Sequence, residues 1–295
     1  MTDNKTPRPD EDARREFWTF HMERSAELLH AMQQKPTQES GEGFASIRKA
    51  VESTGVEMWF SDSKIATDPV AGDLDRIFYI RESLIPDLMA IGRDMNERGW
   101  ILKIEDGYRT QQMQTQLGRK PAVFDTIVRS CWWESGGKPP TLELINRRSA
   151  CLVANFPNQG THTMGAAVDI SVFRREDGSE VSRGKPYLEM SEYTPMDSPF
   201  VSAQAQHHRV EITAMMEAHG FLHYPGEFWH YNKGDALYHL TTESGEAAPY
   251  GPVHWDPATN RVSPYDDVGV PLTPPAVMAE LLKQALTRLG LNPEA

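Results

Sequence analysis

The stretch "NQGTHTMGAAVDISVF", residues 158–173, is the one on which the architecture turns. His162 and Asp169 stand in it with six residues between them, Gly165 among those. On a helix the pair would lie two turns apart. Gly165 and the β-branched run from Val168 to Val172 instead favour a loop entering a strand over 166–173. Asp169 then sits mid-strand between Val168 and Ile170, where a carboxylate is costly unless it is paired, hydrogen-bonded or bound to a cation. An Asp bonded to a turn is the plainer account, and for an isolated Asp it is the better one.

Outward from this strand the pattern alternates. On its C-terminal side "EDGSE" is a turn, "SAQAQHHRVEITAMMEAHG" is a helix closed by Gly220, and "FLHY" and "EFWHYN" read as two short strands flanking "PG". On its N-terminal side residues 111–150 read as mainly helical, interrupted by "SGGKPP" at 135–140. Before them "WILKIEDGYR" is a strand running into a turn. "SLIPDLMAIGRDMNERGW" is a helix opened by Ser83 and ended at Gly99, and "RIFYIR" (76–81) is β-rich. Further back, "EDARREFWTFHMERSAELLHAMQQ" places Phe17, Phe20, Leu28, Leu29 and Met32 at roughly helical spacing up to Pro36, and "FASIRKAVEST" is a second helical stretch.

Beyond Asp235 the chain becomes irregular, with prolines at 249, 252, 257, 264, 271, 274 and 275, before a last amphipathic helix in "AVMAELLKQALTRLG". The whole predicts an α+β fold, a small mainly antiparallel sheet with flanking helices. Three segments are expected within one compact unit. They are a helical N-terminal extension (1–70), a core (71–240) and an irregular Pro-rich segment with a terminal helix (241–295).

Composition narrows the function. The 295 residues are 39% apolar and 24% charged, as in ordinary globular proteins, with a formal net charge of −12. Such a chain, without a Lys/Arg stripe, is not expected to bind nucleic acid; "INRRSA" (145–150) reads as a helix face or a substrate-side pair. No run reaches the ~20 apolar residues of a membrane span. The opening "MTDNKTPRPDEDARREFWTF" lacks the apolar stretch of a secretory signal, so no membrane partner and a cytoplasmic location are expected. Cys131 and Cys151 are too few for a disulfide framework or a Cys-rich zinc site, and read as buried thiols.

Two further stretches carry chemistry. In "IEDGYRT" (104–110) Arg109 follows a strand at a Gly-containing turn, where a side chain can be aimed into a cleft; alone, an Arg paired with Glu105 or Asp106 explains it better. In "GEFWHY" (226–231) Glu227 and His230 are three apart. In a straight strand they would point to opposite faces, so a strand end or bulge is needed to bring both to one place. Together the three stretches supply two His and one Asp as ligands, one Glu left over and one Arg. Three protein ligands with an open fourth position is the pattern of a catalytic zinc. A free carboxylate beside such a metal suits a general base, and an Arg suits a substrate carboxylate or an oxyanion.

In order and approximate spacing, "DGYRT", "GTHTMGAAVDIS" and "GEFWHY" resemble the zinc D-alanyl-D-alanine dipeptidases of the vancomycin-resistance type, over about residues 76–235. Their wider group holds D,D-carboxypeptidases, L,D-endopeptidase endolysins and the hedgehog signalling domain. The matched patterns are Y-R, S-x-H-x-x-G-x-A-x-D and E-x-W-H. The resemblance implies a hedgehog/D,D-peptidase-like fold and Zn2+ held by His162, Asp169 and His230. It implies Glu227 as the base that activates water and then protonates the leaving amine, and Arg109 as the group that stabilises the polarised carbonyl. It thus implies a hydrolase, a metallopeptidase acting on a small peptide or dipeptide. The long interval from Asp169 to Glu227 is closer to the dipeptidase branch than to the shorter endolysins. Where the family has Ser two residues before the first ligand, this chain has Gly160.

Two other readings use the same residues. Two His and one carboxylate also make the facial triad of non-haem iron oxygenases. Those carry a tight H-x-D pair and a downstream Arg, whereas here six residues intervene and no Arg follows His230 before Arg261. A zinc-stabilised binding module needs neither Glu227 nor Arg109. Elsewhere, His223 and Tyr224 are expected to back the site, and Trp132, Trp133 and Trp229 to belong to core or pocket wall. One of the adjacent His207 and His208 is expected to face the core or the cleft, and the loop with Glu189, Ser191 and Asp197 to edge the cleft. The terminal extensions would cover the cleft or form a homo-oligomer interface.

Overall fold

The computed structural model describes residues 10–68 and 72–291, so the segment boundary read at 70/71 lies outside the described residues. The chain opens with α1 (Glu11–Gln34), β1 (Phe44–Ser46), α2 (Ile47–Thr54), β2 (Met58–Phe60) and β3 (Ala66–Asp68). Then come β4 (Gly72–Leu74), β5 (Tyr79–Arg81), α3 (Ile85–Glu97), β6 (Trp100–Asp106), α4 (Gln111–Arg119), α5 (Pro121–Glu134) and α6 (Leu142–Val153). The C-terminal half holds β7 (Ala167–Arg174), α7 (Ala203–Glu217), β8 (Leu222–His223), β9 (His230–Asn232), α8 (Ala236–Thr241), β10 (Val253–Asp256), β11 (Arg261–Pro264) and α9 (Pro275–Leu289).

The main sheet has five strands in the order β2-β6-β7-β9-β8. Only β2 and β6 run parallel; the other pairs are antiparallel. The fold is therefore the expected α+β type with a small, mainly antiparallel sheet. Its strands alternate in the usual way. Leu102, Ile104, Val168, Ile170, Val172 and Tyr231 face one side, where they share a buried core with Leu88, Ile91 and Met95 of α3 and Ile212 and Met216 of α7. Asp169 and Ser171 face the other.

A second, helical core lies on that other side. Trp18, Met22 and Leu29 of α1 pack with Phe124 and Ile127 of α5, Ile145 and Leu152 of α6, and Met278 and Leu286 of α9. Its one large buried charge, Arg148 of α6, is paired with Glu134 of α5 and with Glu23 of α1 at 2.8 Å, which ties three helices at one point. Cys131 and Cys151 lie in this core as free thiols, as expected. Among the described residues no helix is long and apolar enough to cross a membrane.

Three local readings change. β2 lies within the segment expected to be a helical extension (1–70); three residues are too few to show a period of two, and their place at the edge of the sheet is a tertiary choice. The helix expected to open at Ser83 begins at Ile85 after a 3-10 turn, and the Ser83 hydroxyl is spent on Tyr250 (2.8 Å) and Glu42 (3.2 Å) instead. Within the Pro-rich stretch, β10 and β11 form an antiparallel hairpin whose last pair, Val253 with Pro264, puts the proline at a strand end, where its missing N–H is tolerated.

Candidate metal centre and its cleft

The first ligand candidate, His162, lies in a 3-10 turn (Thr161–Met164) immediately before β7. The turn closes on Gly165, whose φ is +68°, and a Cβ there would come within 1.7 Å of the Phe44 ring; only glycine fits. Arg81, fully buried, pins the same turn from below by donating from Nε to the Met164 carbonyl at 2.7 Å. The His162 ring is oriented by a 2.7 Å hydrogen bond between Nδ1 and the Gly107 carbonyl. A carbonyl only accepts, so Nδ1 carries the proton and Nε2 presents its lone pair, 3.1 Å from Asp169 Oδ1.

Strand register supplies the other two. Asp169 of β7 lies directly opposite His230 of β9, so the two share a face, and its neighbour on the other side is Asp106 of β6. His230 Nδ1 is 3.0 Å from the same Asp169 Oδ1, and its Nε2 is 2.8 Å from the Thr161 hydroxyl. The ligand atoms of His162, Asp169 and His230 all lie within 4.8 Å of one another, and all three residues are buried. Among the described residues no other group of three His, Cys, Asp or Glu converges in this way.

This donor set suits a cation. The two rings can each direct a lone pair at a carboxylate oxygen, an arrangement of acceptors that needs a positive charge between them. Burial works to raise the Asp169 pKa, but the neighbouring His162 and His230 outweigh it and hold this carboxyl well below its usual range. His230 is itself pushed down by burial, toward the neutral form that a metal requires. Two imidazoles and one carboxylate, with no thiolate, fit zinc.

The second Asp169 oxygen faces away from the rings. Oδ2 accepts from Arg109 at 3.1 Å and from the Tyr187 hydroxyl at 2.9 Å. Arg109 also donates from Nε to Asp106 at 2.7 Å and from one terminal nitrogen to Gln114 at 3.2 Å, so two of its five N–H groups remain for a ligand in the cleft it lines. Burial disfavours its charge, yet Asp106 and Asp169 more than compensate and raise its pKa further. The pairing with Asp106, which would explain an isolated Arg, and the contact at the centre therefore coexist.

"GEFWHY" is not the straight strand that its sequence suggests. Residues 225–229 make tight turns, with the Glu227 N–H bonded to the Tyr224 carbonyl at 3.2 Å and the His230 N–H to the Glu227 carbonyl at 3.4 Å. The strand starts only at His230. The opposite-face problem disappears, since the turn sets the direction of Glu227 and the ladder sets that of His230; both line one cleft. Glu227 is half-buried and does not join the three-residue cluster. Burial first, and then repulsion from Asp169, push its carboxyl up to about 8, against opposing pulls from Arg109 and a hydrogen bond from the Trp229 side chain.

Other candidates fall elsewhere. His223 pairs with Glu217 at 2.7 Å on the surface and does not back the site, whereas Tyr224 lines the cleft with its ring 6.1 Å from that of His230. His208 bonds the Ser182 carbonyl at 2.8 Å beside Trp100, and His207 lies near Glu211. From the 184–200 loop it is Leu188 and Met190 that line the cleft; Glu189 bonds Ser191 and Asp197 pairs with His21. Trp132 and Trp133 pack on the helical core, and Trp229 is a cleft wall, as expected.

Tyr187, Gln114 and Thr161 escaped the sequence reading. Tyr187 lies in an irregular loop with no period to betray it. Thr161 is the more instructive case, because the hydroxyl missing at Gly160 is present one residue later and turned to His230.

The helix-flanked sheet thus carries a buried His/Asp/His cluster that could hold a metal ion, beside a half-buried carboxylate. Residues 139–244 match the D-ala-D-ala dipeptidase family model. The match takes in His162, Asp169, Glu227 and His230 and leaves out Arg109 and α1. The chain is 28% identical over 144 residues to the D-alanyl-D-alanine dipeptidase of Enterococcus faecium, covering 48% of this chain and 66% of that one. For the enzyme of the same name from Enterococcus faecalis (strain ATCC 700802 / V583) the figures are 30% over 142 residues, 48% and 65%. For that of Escherichia coli (strain K12) they are 27% over 133 residues, 45% and 55%. In each case the chain spans less than two thirds of the relative's length. The solved structure of the LdcB LD-carboxypeptidase overlaps 66% of this chain and 74% of its own at 17% identity and a TM-score of 0.33, too distant to bear on function.

Proposed function

We propose that this protein is a zinc-dependent peptidase that hydrolyses the amide bond of a short peptide, D-alanyl-D-alanine or a related dipeptide. The observation that carries the reading is the convergence of His162, Asp169 and His230 within 4.8 Å in a cleft that Glu227 and Arg109 also line. Neither of those two is needed to hold a structural metal. On this reading the substrate is a free dipeptide met in the cytoplasm.

His162, Asp169 and His230 would hold the ion, and zinc bound there would supply Lewis acidity toward the scissile carbonyl and an acidified water. The remaining steps belong to the chain. Glu227, beside the cluster but not in it, takes the proton of the attacking water on its carboxylate and delivers it to the departing amine nitrogen. Arg109, its guanidinium fixed by Asp106, Gln114 and Asp169, turns its spare N–H groups to the carbonyl oxygen as negative charge develops there. Because those partners already fix Arg109, little reorganisation is needed when the charge appears.

The test is hydrolysis of a dipeptide panel by zinc-loaded protein and by its Glu227→Gln variant. The variant is expected to keep its zinc and lose about 10²- to 10⁴-fold in kcat. A Glu227→Gln protein that retains full activity would remove Glu227 from the mechanism, and a zinc-loaded wild type that cleaves no dipeptide would remove the reaction itself.

A further inference from the structure

The cleft does not end at the metal centre. Beyond it runs an apolar wall made by Leu29 and Met32 of α1, Leu152 and Val153 of α6, Met190 of the 184–200 loop, and Leu237 of α8. Two of these residues, Leu29 and Met32, lie outside the stretch that the dipeptidase family model matches, which starts at residue 139; the other four lie within it. α1 is fixed there by a buried core of its own and by the Glu23–Arg148 pair, so the wall is pre-formed and rigid. Gly160, which also lines the cleft, carries no side chain, and a Cβ built there would make only ordinary contacts, the nearest at 3.6 Å to Thr163 Oγ1.

A site that selects two methyl side chains has no use for such a wall, since small groups leave it in contact with trapped water or with nothing. We propose that the α1–α6 wall is a side-chain subsite, and that the preferred substrate is a dipeptide or short amide with one apolar side chain larger than methyl, of the size of Leu, Met or Phe. The inference rests on the peptidase reading above and adds the substrate class. Leu29 and Met32 become specificity-determining residues that touch the substrate's side chain rather than its reacting atoms.

Each methylene placed against an apolar pocket discriminates by roughly tenfold or more. The zinc-loaded wild type is therefore expected to show kcat/KM at least about tenfold higher for a Leu-, Met- or Phe-containing dipeptide than for the alanyl-alanine dipeptide of the same stereochemistry, across D,D-, L,D- and L,L-series. Filling the wall with Leu29→Phe should lower that ratio by about tenfold or more. The melting temperature of that variant, measured beside, separates a filled pocket from a damaged fold. Alanyl-alanine as the fastest substrate, or a ratio untouched by Leu29→Phe in a folded protein, overturns the subsite while leaving the peptidase reading intact.

Calorimetric binding to the zinc-loaded Glu227→Gln variant decides the case without turnover. Tighter binding of the bulky dipeptide supports the subsite even if no peptide is ever cleaved, an outcome that would defeat only the reading above. Equal or weaker binding of the bulky dipeptide overturns it.

Discussion

The two walls of the cleft are built on different principles. On the sheet wall, place is set by hydrogen-bond geometry: Asp169 stands opposite His230 because β7 and β9 pair in that register, and both Asp169 oxygens are partnered. On the helical wall, place is set by packing, with α1 and α6 meeting through Trp18, Met22, Leu29 and Leu152. The first kind of wall holds chemical groups to a fraction of an ångström; the second offers shape and apolar surface. The walls also differ in kinship, since the family match covers the ligands of the first and misses α1 of the second. On the proposed reading, reaction belongs to the first wall and selectivity to the second.

Substitutions can break that division, and the largest effect is expected on the sheet wall. Asp169→Ala should abolish zinc binding, measured as metal per chain after dialysis, and with it all hydrolysis. It should also cost roughly 3–5 kcal/mol of stability in urea, because Arg109 loses a buried partner while Asp106 remains. On the helical wall the matching change is Trp18→Ala, which removes a side chain only 1% exposed. It should cost about 3–5 kcal/mol in the same titration and leave the zinc content unchanged. Loss of zinc in Trp18→Ala would show the walls to be one cooperative unit rather than two.

A subtler change sharpens the contrast. Tyr187→Phe deletes only the hydroxyl on Asp169 Oδ2, so zinc affinity should weaken about tenfold, with stability changed by about 1 kcal/mol. Competition with a metal-binding dye reads the first and thermal melting the second; unchanged affinity would mean that Arg109 alone positions Asp169. The smallest effect belongs to the helical wall's thiols. Burial pushes both Cys131 and Cys151 up to about 12. Their folded values thus lie above the unfolded ~8.5, so the neutral thiols favour the folded state fully below that pH. That contribution fades as the pH rises from about 9 toward 12. At pH 8 iodoacetamide should label neither in the folded protein and both in urea, as read by mass spectrometry. Labelling of folded Cys151 would show the α6 wall opening.

Long periodic elements were legible in the residue order: α1, α7, α9 and β7 fall where their spacing puts them, because many positions vote for one period. Short ones were not. β2 has three residues, below the length at which alternation can be told from chance; β9 was read as a strand from Glu227 but starts only at His230, and the β10–β11 hairpin was hidden by the prolines around it. The site divides likewise. His162, Asp169, Glu227 and His230 carry a spacing with a recognisable chemistry, so they can be found one by one. Tyr187 and Gln114 cannot, for a tyrosine in an aperiodic loop and a glutamine on a helix mean nothing until something stands opposite them.

Residue identity alone therefore settled which groups are present, since an Asp in an apolar strand and a Glu and a His flanking aromatics need partners wherever they lie. It could not settle who those partners are. That Asp169 faces His230 is a matter of strand register, that Glu227 and His230 serve one cleft depends on turns in a segment of strand-like composition, and that Leu29 lines that cleft depends on a helix more than a hundred residues away in sequence. Local preference acts over a few residues, whereas the free energy that brings distant segments together comes from burial, and burial is defined only once the chain has closed on itself.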